Sequence, residues 1–362
     1  MTRPGRGVLI MAGGTGGHIF PGLAVADVLR KQGVPVRWLG AEGGMETRTV
    51  PAAGIELDTV AISGLRGKGL MRWVKMPFML LGAVWNARRL LKANRPACAV
   101  SFGGYAAAPG GIAAWTRGIP VLVHEQNRVP GMTNKLLTRF SRRILQGFPG
   151  TFPAELSAID SGNPVRHEVA ALPDPQERLA GRTGPIRILI TGGSQGAQVL
   201  NQKVPGAIKL LPPALAVEIR HQAGAKRVDE ACEAYDKAGV DADITPFISD
   251  MAEAYAWADL VICRSGALTV AELAAAGVAS LLVPFAYAVD DHQTRNAEYL
   301  AEANAAVILP QRTLDEQKLA AAMEPLLSDR NVLLSMARAA RLKALPDAAE
   351  KVVEACSEWV AS

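Results

Sequence analysis

Short runs dominated by apolar residues recur along the chain, each closed by a polar or glycine-rich turn. In the first half they are Val8–Ala12, Val34–Gly40, Ala97–Ser101 and Val121–Val123. In the second half they are Ile186–Ile190, Val217–Arg220, Ile244–Phe247, Leu260–Cys263 and Ser280–Val283. Apolar runs of this kind are what a parallel strand buried on both faces requires. Helical patterns separate them; in the first, Pro21–Gln32, the proline suits the first helical position. Strands alternating with helices predict right-handed βαβ units and parallel sheets. Ser161-Gly162-Asn163-Pro164-Val165-Arg166 reads as a domain exit, and Ala171–Pro185, rich in proline, glycine and charge, as a linker. Asp347–Trp359 reads as a final amphipathic helix that packs back across the domains.

Two of these runs end alike. Val8–Ala12 leads into Gly13-Gly14-Thr15-Gly16-Gly17, and Arg187–Thr191 into Gly192-Gly193-Ser194-Gln195-Gly196. Glycines let backbone N–H groups approach an anion, and a following helix start favours negative charge. Two such loops a domain length apart predict two similar α/β domains with a cleft between them. The first loop is not a dinucleotide fingerprint, because Ile19 stands where the third glycine or alanine would be needed, although Glu42 lies near the ribose-binding position.

At 362 residues, two hydrophobic cores are expected. The four cysteines, Cys98, Cys232, Cys263 and Cys356, form no C-x-x-C pair, which argues against a disulfide framework or zinc site and fits a reducing cytoplasm. Val8–Ala12 is too short for a signal sequence and reads as a first strand. The net charge of +5 conceals an asymmetry: Thr59–Ala154 holds fourteen Lys and Arg against one acid, Glu125, so +13 sits there and −8 on the rest. Nucleic acid or an anionic membrane surface could answer that excess. Within it, Leu70–Leu91 has an uncharged run, Met76–Trp85, about half a membrane span long. Basic residues surround it, including Arg66, Lys68, Arg72, Lys75, Arg88, Arg89 and Lys92. It is either a core helix with a solvated basic face or a helix lying in a lipid interface, with Trp73, Phe78, Leu81, Trp85 and Trp115 as the apolar patch.

The turns carry the candidate chemistry. His18 follows the first loop at a helix entrance, and a histidine there suits a base that accepts a proton from a sugar hydroxyl. Ser101-Phe102-Gly103-Gly104-Tyr105 is a third glycine turn, suited to a second anionic group. His124-Glu125-Gln126-Asn127 sets four polar groups at a strand end, where they cannot all be buried cheaply. Its Glu125 reads as a site carboxylate that orients a base or bonds substrate hydroxyls. Arg264–Glu272 runs from a strand into a helix whose start could receive phosphate or sugar oxygens and whose Glu272 could accept from a ribose diol. Asp290–Asn296 mixes amides and carboxylates suited to sugar hydroxyls, but three adjacent residues, Asp290, Asp291 and His292, do not converge on one metal ion.

Together GGTGGH at 13–18, FGGY at 102–105, HEQN at 124–127, GNPVR at 162–166, GGSQGA at 192–197, RSGALTVAE at 264–272 and DDHQTRNA at 290–297 resemble the MurG-type transferases of glycosyltransferase family 28. The resemblance implies a GT-B fold, two Rossmann-like parallel-sheet domains facing a cleft. It implies inverting transfer of N-acetylglucosamine from UDP-N-acetylglucosamine to the C4 hydroxyl of the lipid-linked muramyl pentapeptide, lipid I, at the cytoplasmic face of the bacterial inner membrane. Residues 1–165 would be the acceptor and membrane domain, with 346–362 packing back on it, and 166–345 the UDP-sugar domain. On the donor side the resemblance implies Ser194 at the phosphate, Glu272 at the ribose, the Ile248 backbone at the uracil and Arg166 beside the nucleotide. Ala267, Leu268, Thr269 and Gln293 would hold the sugar or diphosphate, with Thr15, Gly16, Gly17 and Asn127 reaching the donor sugar. His18, Gly103, Gly104, Tyr105, His124, Glu125 and Asn134 would line the acceptor side. His18 is the expected base, with Glu125 and His124 as rivals. No cofactor and no metal are implied. The partners would be the two substrates, an anionic inner-membrane surface and other proteins of cell-wall synthesis and division, and not nucleic acid. Tyr287 stands where the family often has histidine. A UDP-sugar epimerase of the same fold and a non-catalytic nucleic-acid binder are the competing readings.

Overall fold

The computed structural model describes residues 6–62, 70–193 and 196–360, with all side chains in them except those of 70–77 and 289. Ser194, Arg66 and Lys68 therefore lie outside the described residues, as do the side chains of Trp73, Arg72 and Lys75. The chain forms two units, Met1–Val165 with Leu345–Ser362, and Arg166–Ala344.

The first unit carries the strands β1 (Val8–Ala12), β2 (Val36–Ala41), β3 (Glu56–Val60), β4 (Cys98–Gly103), β5 (Val121–Glu125), β6 (Arg143–Gln146) and β7 (Ile159–Asp160). They pair in the order β3-β2-β1-β4-β5-β6-β7, every pairing parallel. The apolar run of β1 is explained by the two faces it serves. Val8, Ile10 and Ala12 enter one core with Trp38, Val100 and Leu122, while Leu9 and Met11 point into another with Leu39, Ala99 and Val121. Successive strand side chains alternate between faces, so a sheet covered on both sides needs apolar residues at every step. The helix Ala348–Val360 covers the first of these faces with Ala349, Val352, Val353 and Cys356.

The second unit repeats the plan with β8 (Ile186–Thr191), β9 (Val217–Gln222), β10 (Asp243–Thr245), β11 (Leu260–Cys263), β12 (Ala279–Leu282) and β13 (Ala306–Ile308), ordered β10-β9-β8-β11-β12-β13 and all parallel. Ile186, Ile188 and Ile190 fill one core with Leu260, Ile262, Leu281 and Leu200. In both sheets the strand order reverses beside the strand that carries a twin glycine loop, at β1/β4 and at β8/β11. Loops diverge there at the strands' carboxyl ends, which is where open α/β sheets bind ligands.

Three local readings change. The first helix is Gly16–Lys31, so Pro21 lies inside it and not at its start, and His18 belongs to its first turn. The helix runs through the proline at the cost of one intrahelical bond, the N–H that would have met the Gly17 carbonyl. The segment 171–185 is not a loose linker. Its Arg178 donates to the carbonyls of Tyr255, Ala276 and Gly277, and its Arg182 to those of Ala256 and Trp257 and to the buried Asp259 carboxylate. It is a strap on the second unit whose charges are spent on backbone oxygens, Ala276 and Gly277 among them at a helix C-terminus where cations are favoured. Finally, Leu70–Asn94 is one helix. Ala83, Ala87 and Leu91 face the core, whereas Phe78, Leu81 and Trp85 are 75%, 66% and 62% exposed. The core reading holds for one face of this helix, and the opposite face carries exposed apolar side chains.

Candidate active site

In the first unit the site is built on contacts that only glycine allows. A Cβ on Gly104 would lie 2.3 Å from the Gly13 carbonyl oxygen, and one on Gly103 would lie 3.2 Å from the His18 ring. Both glycines have left-handed backbone, φ 91° and 98°. The FGGY turn after β4 is thus laid directly on the first glycine loop. From below, that loop hangs on Glu46, a residue the motifs did not point to. Glu46 is fully buried, and its carboxylate accepts from Ala41 N at 2.9 Å and Gly14 N at 3.1 Å. Side chains on Gly13, Gly40 or Gly44 would collide with it. An isolated acid gives no local signal; its role exists only once β1 and β2 are paired.

The HEQN segment ends β5. The Glu125 carboxylate is buried and receives four N–H groups, from the Asn127 backbone and side chain at 3.0 and 3.1 Å, from Gly131 N at 3.0 Å and from Asn134 Nδ2 at 3.0 Å. Its lone pairs are committed to shaping the turn 127–131, so it is a scaffold group here and not a free proton acceptor. Asn134 is also internal: Nδ2 additionally donates to the His124 carbonyl, and Oδ1 accepts from Ser101. It braces the turn after β5 from inside. His124 is buried with Nε2 on the Gly162 carbonyl and Nδ1 on Gln126, so neither nitrogen is open to a ligand. Burial pushes its pKa down to about 4. Of the three expected bases, only half-buried His18 has a ring nitrogen left over: Nδ1 meets Gln126 Oε1 at 2.9 Å, and Nε2 makes no hydrogen bond among the described residues. Gly14, with φ 88° and open space where a Cβ would be, exposed Thr15, and Gly16 and Gly17 in the uncapped first helical turn lie beside it in sequence. Tyr105 is half exposed, while Glu42 is a surface residue.

In the second unit, Gly192 and Gly196 are fixed by packing, since added Cβ atoms would lie 2.1 Å from Ala197 N and 1.9 Å from Ala223 O, while Gly193 (φ 75°) opens onto free space. Asn201 and His221 brace this loop: Asn201 Nδ2 donates to Ala223 O at 3.1 Å, His221 Nε2 to Asn201 Oδ1 at 3.1 Å, and Tyr235 OH to His221 Nδ1 at 3.0 Å. Burial pushes the His221 pKa down to about 3. The helix Ala267–Ala276 starts at Gly266 with no side-chain cap and no acid in its first turn, leaving the N–H groups of Ala267, Leu268 and Thr269 available. One turn on, Glu272 is buried; Tyr255 OH donates to its Oε2 at 3.2 Å, Arg166 Nε stands 3.7 Å from its Oε1, and that oxygen has no hydrogen-bond partner. Burial raises its pKa. A carboxylate oxygen without a hydrogen bond at this depth is a place for a ligand hydroxyl. Gln293 Oε1 accepts from Phe285 N at 2.9 Å, and Arg264 stacks on Phe285 while donating to the Val283 carbonyl. Exposed Tyr287 stands edge-on to Phe285. Ile248 lies half-buried in the loop after β10. Asp290 and Asp291 have left-handed backbone, and no three His, Cys, Asp or Glu among the described residues gather as a metal site.

The glycosyltransferase family 28 N-terminal domain matches residues 8–146, and its C-terminal domain matches residues 187–352. A UDP-N-acetylglucosamine--N-acetylmuramyl-(pentapeptide) pyrophosphoryl-undecaprenol N-acetylglucosamine transferase of Xanthomonas axonopodis pv. citri is 60% identical, covering 96% of this chain and 81% of that protein. One of the same name from Marinobacter nauticus is 52% identical, covering 98% of both. The crystal structure of Acinetobacter baumannii MurG superimposes with a TM-score of 0.85 at 42% identity, over 98% of this chain and 99% of that one.

Two outcomes follow from the buried polar groups. Glu46→Ala strands two backbone N–H groups, and each is expected to cost about 1–3 kcal/mol, read as a lower denaturation midpoint. Folding keeps His124 and His221 neutral, whereas the unfolded chain protonates both below about pH 6.5. The unfolded state therefore binds more protons from there down to about pH 4, and stability falls with falling pH by up to about 1.4 kcal/mol per unit for each ring. Glu272, with its raised pKa, acts in the opposite sense over its own window. His124→Gln and His221→Gln should each flatten the acid slope of unfolding free energy by about one proton; an unchanged slope would contradict the buried neutral assignment.

Proposed function

This chain belongs to glycosyltransferase family 28, and we infer that it transfers N-acetylglucosamine from UDP-N-acetylglucosamine to the C4 hydroxyl of undecaprenyl-diphospho-N-acetylmuramoyl-pentapeptide, lipid I. The product is lipid II, formed with inversion to a β-1,4 linkage. The observation that carries the reading is the His18 ring, a histidine in a glycine-lined first turn with one nitrogen engaged inside the protein and the other left for substrate.

The second unit holds the donor. As the bond to the anomeric carbon breaks, negative charge grows on the departing diphosphate. The Gly193 backbone and the amides of the Ala267–Thr269 helix start answer it, Arg166 adds positive charge, and the family resemblance assigns Ser194 and Gln293 to the sugar diphosphate. The ribose diol completes the hydrogen bonding of Glu272, donating to the oxygen that Tyr255 leaves unpaired. The Ile248 backbone reads the uracil. The first unit holds the acceptor, with Tyr105 and the Gly103–Gly104 backbone around the muramyl sugar and the Thr15–Gly17 backbone and Asn127 at the donor sugar. His18 Nε2 takes the proton of the attacking C4 hydroxyl. Glu125, His124 and Asn134 keep that wall in shape.

Among the described residues no helix is long and apolar enough to cross a membrane. The face of Leu70–Asn94 bearing Phe78, Leu81 and Trp85 rests on the anionic cytoplasmic surface of the inner membrane. Arg89 covers the Trp85 ring at 4.8 Å, and Trp115, 50% exposed and tilted against the Phe140 ring, adds apolar surface. Apolar rings seat in the interface while arginines meet phosphates.

Labelled N-acetylglucosamine should appear in a lipid I analogue only when chain, donor and acceptor are all present; conversion of the donor to its 2-epimer without acceptor would overturn the transferase reading. His18→Ala should lower kcat by about 10²- to 10⁴-fold, and near-normal turnover would remove His18 as the base. Phe78→Ser with Trp85→Ser should weaken sedimentation with anionic vesicles and slow transfer to membrane-borne lipid I, while transfer to a short-chain soluble acceptor stays unchanged.

A further inference from the structure

Gln126 has no assigned task, yet it is buried at the end of β5 and joins the two histidines of the first unit. Its Oε1 lies 2.9 Å from His18 Nδ1, and its Nε2 lies 3.0 Å from His124 Nδ1 and 2.8 Å from the His124 carbonyl oxygen. At the far end, His124 Nε2 meets the Gly162 carbonyl oxygen at 2.9 Å.

The protons along this line can be placed one at a time. A carbonyl oxygen only accepts, so His124 carries its proton on Nε2. The buried ring is neutral, so its Nδ1 is bare and accepts. The Gln126 group that faces both this nitrogen and the His124 carbonyl must then be the NH₂, because an amide oxygen there would confront two acceptors. Gln126 Oε1 is thereby turned to His18, and only an N–H completes that contact. His18 is left as the tautomer protonated on Nδ1, with its lone pair on Nε2.

The line is anchored at both ends. Gly162 has φ 83°, a Cβ on it would lie 2.5 Å from the Leu345 Cβ, and Ser161 Oγ donates to the same carbonyl. Asn163 Nδ2 holds the Gln126 carbonyl at 3.0 Å.

We propose that Gln126 is a positioning residue that carries the polarity of the Gly162 carbonyl through His124 to His18, and so keeps the His18 Nε2 lone pair ready for the acceptor's proton. The proposal rests on the reading of His18 as the base. The orienting role that a carboxylate plays in a Ser-His-Asp triad falls here to a neutral amide. It fixes the tautomer without placing a charge against the imidazolium.

The test is nitrogen NMR of the full chain with ¹⁵N-labelled histidine at pH 7.5, the His18 signals being those lost in His18→Asn. In the unmodified chain His18 should show a protonated Nδ1 and a bare Nε2; the reverse pattern would overturn the proposal without any variant. Gln126→Leu should shift His18 toward the Nε2-protonated form and lower kcat by about 10²-fold, with KM for both substrates within about twofold. A folded Gln126→Leu chain that kept the Nδ1-protonated form and its kcat would also overturn it. The spectrum reads the tautomer whether or not His18 is the base, so the positioning claim and the base assignment can fail separately.

Discussion

The constraint on which both sites depend is that backbone must meet backbone where side chains would ordinarily keep loops apart. In the first unit the FGGY turn touches the loop after β1 at a distance no Cβ survives; in the second, Gly192 and Gly196 let the loop after β8 fold onto itself and onto the strand end at Ala223. Close approach leaves open space beside the backbone at Gly14 and at Gly193. It also leaves amides facing inward, and those must be paired. Glu46 does this beneath the first loop, while Asn201, backed by His221 and Tyr235, pins the carbonyl that faces the second. The duplicated scaffold therefore reaches the same end by different buried chemistry, a carboxylate in one unit and a neutral network in the other.

That difference extends to function. The second unit keeps an uncapped helix start and a carboxylate, Glu272, with one oxygen lacking a hydrogen bond, which we read as equipment for holding a nucleotide. The first unit replaces the alanine of its twin loop by His18 and surrounds it with groups whose lone pairs and protons are already assigned. Glu125 receives four N–H groups and His124 is occupied at both nitrogens, so the polar residues around His18 define its state without competing for its role.

Much of this was legible in the sequence because burial on both faces forces apolar runs, and β1, β8 and β11 announce themselves that way. The edge strands β3 and β7 do not, since Glu56 and the Ile159–Asp160 pair are exposed and carry no such pattern. Residues 171–185 look like a linker by composition, because nothing local tells that Arg178 and Arg182 end on carbonyls 74 to 99 positions away. The motifs singled out polar residues that the fold gathers around His18, but not which of them are committed: the Gln126–His18 bond spans 108 positions. Glu46 and Tyr255 stood in no motif at all. Residue type could be read locally, whereas protonation, hydrogen-bond direction and burial are set by packing.

The proposed division of labour sets donor binding in the second unit and the base in the first. Calorimetric titration of UDP into the unmodified chain, His18→Ala and Glu272→Ala tests it most directly. His18→Ala should bind UDP with a Kd within about twofold of the unmodified chain, while Glu272→Ala should bind about 10- to 100-fold more weakly, the loss expected for a hydrogen bond to a charged group. Equal weakening in both variants, or undiminished UDP binding by Glu272→Ala, would contradict it.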